Sequence, residues 1–148
     1  EVGVAGFPEG HPETKNRQTE MDYFKSKIDQ GADYMCTQLF FDNHDFFDYR
    51  ERCNLVGIDL PIVAGIMPIT TMSSMKRMAD LAAGSRFPAK LLKRLSVADG
   101  DAAAIRQAGI DHAIEQCQEL IEQNVSGLHL YTLNKSSATR EIANALTF

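Results

Sequence analysis

The chain has 148 residues, 44% of them hydrophobic, and a formal net charge of −5, enough to bury one substantial core. Acidic residues outnumber basic ones and the Lys and Arg are dispersed, which argues against nucleic acid as a partner, because phosphate binding needs a basic face. No apolar run approaches the roughly 18 residues that span a bilayer and no signal-peptide pattern opens the chain, so no membrane association and a cytoplasmic location are expected.

Residues 2–7 (VGVAGF) form the first β-rich segment and run into the loop PEGHPE, which crowds a histidine and two carboxylates around two prolines. Pro8 and Pro12 fix φ locally and bias Phe7 and His11 toward extended geometry, so the loop is shaped rather than floppy. The plain alternative is a turn punctuated by Pro and Gly with a solvated His11. Met21, Phe24 and Ile28 then fall on one helical face, and Gly31 marks the return to a second strand, 33–40 (DYMCTQLF). After it, Asp42 and Asp45 flank His44, a pattern that reads as a helix N-cap before it reads as acid–base machinery.

Gly57 precedes the third strand, 61–66 (PIVAGI), and a helix starts near Thr71. Gly84 to Asp101 predicts a short extra helix with irregular flanks. From about Ala102 comes the cleanest stripe of the chain: Ile110, Ala113, Ile114, Cys117, Leu120 and Ile121. Asn124 and Gly127 introduce the fourth strand, 127–132 (GLHLYT). The strands are near-continuously apolar, as parallel strands covered on both faces are.

The result is an α/β chain of four parallel βα units over residues 1–148, half of an eight-unit (βα)8 barrel. An open four-stranded sheet is the structural alternative, with edges that need covering. Cys36, Cys53 and Cys117 are odd in number and far apart, and read as buried thiols of a reducing compartment. The four histidines have no HxxxH or HxH spacing and no CxxC occurs, so no metal site is expected. GxGxxG, GxxxxGK[ST] and GxSxG are all absent.

In a barrel, the carboxyl ends of the strands gather on one rim, where chemistry resides. That rim would hold Phe7 and its loop, Thr37 and Gln38, Met67 to Thr71, and Tyr131 to Lys135. Gln38 is its most informative polar residue, because an amide offers two donors and an acceptor and reads a complementary amide edge. An amide that merely bonds neighbouring backbone remains the alternative.

AGFPEGHPE, ADYMCTQLFFDN, DLPIVAGIMPIT and GLHLYTLN, in this order and spacing, resemble the C-terminal half of the catalytic domain of the methylenetetrahydrofolate reductase family. The resemblance implies a (βα)8 TIM-barrel flavoprotein of one-carbon metabolism and methionine biosynthesis. In that family NADH or NADPH reduces FAD, and the reduced flavin converts 5,10-methylenetetrahydrofolate to 5-methyltetrahydrofolate. It implies a folate substrate, a nicotinamide nucleotide, a homo-oligomer and an N-terminal half of the barrel outside this sequence.

Carried over by position, the resemblance gives Phe7, His11, Glu20, Tyr23, Ser26 and Lys27 to the FAD, with Phe7 standing where the family usually has tyrosine. It gives Gln38 to both folate and nicotinamide, and Ser74, Met78 and Lys135 to the substrate side. There they stand in place of a glutamine, an aromatic and an arginine. No catalytic residue is assigned, since the family's general-acid glutamate belongs to the first four units, and Glu9 and Glu13 do not take that role. A non-catalytic barrel fragment or subunit, acting as a binding or oligomer-contact module, is the competing expectation. A barrel aldolase or phosphate-binding enzyme rests on fold analogy alone.

Overall fold

A computed structural model describes residues 1–14, 16–81 and 85–147. The strands are β1 (Gly3–Gly6), β2 (Tyr34–Thr37), β3 (Ile62–Ile66) and β4 (Gly127–Leu130). The helices are α1 (Arg17–Ile28), α2 (Asn43–Leu55), α3 (Met72–Leu81), α4 (Ala89–Val97), α5 (Ala102–Glu122) and α6 (Ser137–Ala145). The four strands lie in one sheet in sequence order, every neighbouring pair parallel, and the sheet is open. The extra helix expected between Gly84 and Asp101 is α4; Gly84 itself lies outside the described residues.

Local chemistry explains the boundaries. Asn16, Asp42 and Asp101 each precede a helix in extended geometry and accept a hydrogen bond from a first-turn N–H, the arrangement that satisfies otherwise orphaned donors. The capping reading of Asp42 is therefore the observed one. Gly31 and Gly57 take φ of +108° and +71°, the left-handed region a helix-to-strand return needs and glycine enters without cost. The strands are shorter than expected: β2 ends at Thr37 and β4 at Leu130, which leaves Gln38 and Tyr131 in the loops beyond them.

The main core lies between the sheet and its helices. Met35, Ala64 and Ile66 from the strands meet Phe24, Tyr49, Ile110, Cys117 and Ile142. A second cluster joins Leu39, Phe41, Ile69, Met78, Leu91, Leu95 and Ile105 beneath the α3–α4 unit.

Within this chain only one face of the sheet is covered. Side chains alternate across a sheet. The register sets Ala5 beside Cys36, Cys36 beside Val63, and Gly65 beside His129 on the face turned from the main core. Ala5 and His129 are exposed, and Cys36 and Val63 half-buried. Cys53 and Cys117 are buried thiols as expected, whereas Cys36 is not fully enclosed. The chain exposes 8450 Å², against about 7,500 Å² expected from the scaling of compact proteins of this mass. The strands remain apolar on this face because their sequence is that of a sheet with two covered sides.

Candidate functional site

Two hollows open at the carboxyl ends of the strands. The first lies beside the end of β1, between its loop and α1. Phe7, His11, Glu20, Tyr23 and Lys27 line a cavity of about 240 Å³ closed by Phe24 and Tyr49. Five of the six residues expected to meet a flavin cofactor thus share one cavity. Ser26 is the exception: it is exposed and its hydroxyl donates to the Asp22 carbonyl at 2.9 Å.

Three arginines, from α1, α2 and the segment before α4, hold the loop that carries Phe7 and His11. Arg17 donates to the Glu9 carbonyl, Arg52 to the Pro8 carbonyl at 3.0 Å, and the Arg86 backbone N–H to the Glu9 carboxylate. Arg86 also pairs with Asp45. Burial raises the pKa of both Glu9 and Asp45, offset in part by Arg86. Glu9 thereby anchors the loop to the segment that carries Arg86.

Glu20 is buried and fully engaged: one oxygen accepts from His11 N–H at 2.9 Å and the other from Arg17 at 3.0 Å. His11 packs edge-on to Phe7, ring centroids 4.7 Å apart. Its Nδ1 accepts from Glu13 N–H at 3.2 Å, so a neutral ring carries its proton on Nε2, a donor with no protein acceptor among the described residues. Lys27 donates from Nζ to the Ala5 carbonyl of edge strand β1 at 2.8 Å and lies 4.7 Å from the Phe24 ring centroid. Partial burial of the ammonium end lowers its pKa. An aromatic wall, one imidazole donor and one cation make a mainly apolar hollow with few polar contacts, the usual character of a cofactor subsite.

The second hollow, about 800 Å³, spans the ends of β3 and β4 and includes Ser74, Arg77, Met78, Tyr131 and Lys135. Lys135 is exposed, just past Leu133 and Asn134, whose φ values of 44° and 64° turn the chain sharply. The other two expected substrate residues are more committed. The Ser74 hydroxyl donates to the Thr71 carbonyl at 2.7 Å and accepts from Thr71 N–H at 3.1 Å, so the start of α3 uses it. Met78 is 1% exposed and belongs to the second core cluster; it underlies the cleft wall.

Gln38 stands at the end of β2, on the rim between the two hollows. Its N–H donates to the Gly6 carbonyl at 2.8 Å, which ties the ends of β1 and β2. Its Oε1 accepts from Leu39 N–H at 2.9 Å, leaving both Nε2 protons for a ligand. Tyr49, Arg52 and Arg86 are not singled out by any sequence pattern. All three act across long sequence separations, which periodicity does not report, and only the cavity they close or the loop they hold identifies them. No group of three or more His, Cys, Asp or Glu among the described residues is placed to hold a metal ion.

Parallel βα units with ligand-sized hollows at the carboxyl ends of the strands define an α/β scaffold of the enzyme type. The family profile described as methylenetetrahydrofolate reductase matches residues 1–147, and the chain belongs to that family. It is 38% identical over 148 residues to methylenetetrahydrofolate reductase 2 of Saccharomyces cerevisiae, covering 98% of this chain and 24% of that protein. It is 34% identical over 146 residues to the 5,10-methylenetetrahydrofolate reductase of Escherichia coli, covering 99% of this chain and 49% of that one. The chain thus spans about a quarter of the yeast relative and about half of the bacterial one. A solved structure from Clostridium thermocellum, described as binding two copies of 5-methyl-5,6,7,8-tetrahydrofolic acid, has a TM-score of 0.63 at 19% identity. The match covers 97% of this chain and 51% of that one, and shows the fold alone.

Proposed function

We propose that this chain is the C-terminal half of a (βα)8 catalytic barrel that reduces 5,10-methylenetetrahydrofolate to 5-methyltetrahydrofolate with FAD and a nicotinamide nucleotide. The observation that carries this reading is the gathering of Phe7, His11, Glu20, Tyr23 and Lys27 around one cavity at the end of β1, in a chain of this family. The uncovered sheet face is the surface against which the remaining four units would close the barrel. Relatives named for NADH in Arabidopsis thaliana and NADPH in Caenorhabditis elegans leave both reductants open.

The cavity fits part of an FAD. Its volume of about 240 Å³ is below the roughly 300–1,000 Å³ of sites for drug-sized ligands, so it houses one portion of the dinucleotide. Lys27 supplies a cation for the diphosphate, Phe7 an aromatic surface, and His11 an Nε2–H donor. Glu20 holds the His11 backbone and the first turn of α1 in place. Bound there, FAD would supply hydride transfer between the nicotinamide and the folate. Gln38 orients the folate through its amide donors and Lys135 attracts its anionic end, while Ser74 and Met78 shape the cleft from below.

The test is FAD retention in the full-length protein. His11→Ala and Lys27→Ala should lose FAD on dilution and Gln38→Ala should not. Retention equal to wild type in the first two would remove this cavity from the flavin site.

A further inference from the structure

The segment between β2 and α2, residues 38–42, carries Gln38, yet its carbonyl groups are held by side chains from a distant helix. Gln116 donates from Nε2 to the Phe40 carbonyl at 3.0 Å. His112 Nε2 lies 3.0 Å from the Phe41 carbonyl, an acceptor only, so Nε2 is the donor and carries the ring proton. The two residues are one turn apart on α5, at i and i+4, and therefore lie on one face. Asn43 completes the seam by donating from Nδ2 to the Gln116 carbonyl at 3.0 Å and to Glu119 at 2.7 Å.

Phe40 and Phe41 are 0% and 2% exposed, so the backbone between them has little access to water. A buried carbonyl without a donor is costly, and a plain apolar stripe on α5 would leave both unpaired. The polar pair is therefore specific to this segment's path. Gln116 is itself buried, and burial lowers the His112 pKa, which keeps the ring neutral. Core packing alone calls for neither residue, since Ile110, Ala113, Cys117 and Leu120 already supply the apolar face of α5.

We infer that His112 and Gln116 are positioning residues for Gln38: they fix the loop just beyond it and so aim its amide into the substrate side of the rim. This rests on the reading of Gln38 as a folate contact. The pair acts on Gln38 through the loop it anchors and does not itself reach either hollow.

The experiment compares steady-state kinetics and FAD retention of the full-length enzyme in two backgrounds. His112→Leu and Gln116→Leu remove the donors at similar volume, whereas His112→Gln keeps one. The leucine variants should raise the apparent KM for methylenetetrahydrofolate by roughly ten- to a hundredfold, since a misplacement of about 1 Å can cost about 10²-fold. FAD content should stay unchanged and His112→Gln should recover most of the loss. In a Gln38→Ala background the leucine substitutions should add nothing further. A full additional loss there, or no effect of the leucine variants where Gln38→Ala is itself impaired, overturns the inference alone. A silent Gln38→Ala overturns the folate assignment of Gln38, and the inference with it.

Discussion

Gly65, near the end of β3, is where the sheet face turned from the main core tolerates least. A Cβ built there would lie 2.2 Å from the Thr37 carbonyl oxygen and 2.8 Å from the Tyr131 ring. The first contact is with backbone of the adjacent strand, which cannot rotate away. The second is with a ring whose hydroxyl donates to that same Thr37 carbonyl at 3.1 Å. In Gly65→Ala the strands must separate or Tyr131 must leave. Overpacking of this kind costs about 1–3 kcal/mol, and loss of the Tyr131 hydrogen bond adds about 0.5–1.5 kcal/mol. A penalty of about 3 kcal/mol lowers Tm by about 6–12 °C in a domain of 150–250 residues. The assay is a thermal scan of the full-length protein beside Gly127→Ala, whose added Cβ meets only Val63 at 3.6 Å and 3.8 Å and should shift Tm little. A Gly65→Ala protein that melts with wild type would refute the packing described for this face.

Three further outcomes follow from the site. Lys135→Arg should be tolerated and tighten folate binding, since a guanidinium engages a carboxylate with two parallel donors, and Lys135→Ala should weaken it; equal affinities by folate titration would place Lys135 outside the site. Because burial holds the His112 pKa below its ordinary 6.5, the unfolded chain takes up that proton more readily than the folded one. Stability should therefore be complete above 6.5 and fall as pH drops from there toward the folded pKa, a slope that denaturant titrations should find reduced in His112→Gln. Glu20→Gln keeps one acceptor but loses the charge paired with Arg17; it should loosen the His11 loop and speed FAD dissociation, measured by flavin fluorescence on dilution, and an unchanged rate would show that Arg17 and Arg52 hold the loop without it.

The βα order was legible because the first three units repeat the same local grammar: an apolar strand, a helix capped by Asn16, Asp42 or Asp101, and a residue with positive φ, Gly31, Gly57 or Asn124, at the return. Asp42 declared itself as a cap, and Gly31 and Gly57 as turns. The residues around the first cavity were found by resemblance, and the strand end at Phe7 by pattern. Burial of Met78 was not legible, since it depends on how α3 seats against Leu91, Leu95 and Ile105, whereas the Ser74 hydroxyl is committed by local bonds to Thr71. Nor could the His112 and Gln116 seam be read, because its partners are backbone carbonyls 71 and 76 residues away. The strand pattern carries more than this chain alone can satisfy: four apolar strands suit a sheet covered on both faces, and the helices here cover one.

The most direct test of the account is anaerobic reduction of the full-length protein, purified with its own cofactor. It should carry FAD, be bleached by NADH or NADPH, and recover its oxidised spectrum on addition of 5,10-methylenetetrahydrofolate with formation of 5-methyltetrahydrofolate. A protein that binds no flavin, or whose reduced flavin is not reoxidised by the folate, would contradict the function proposed here.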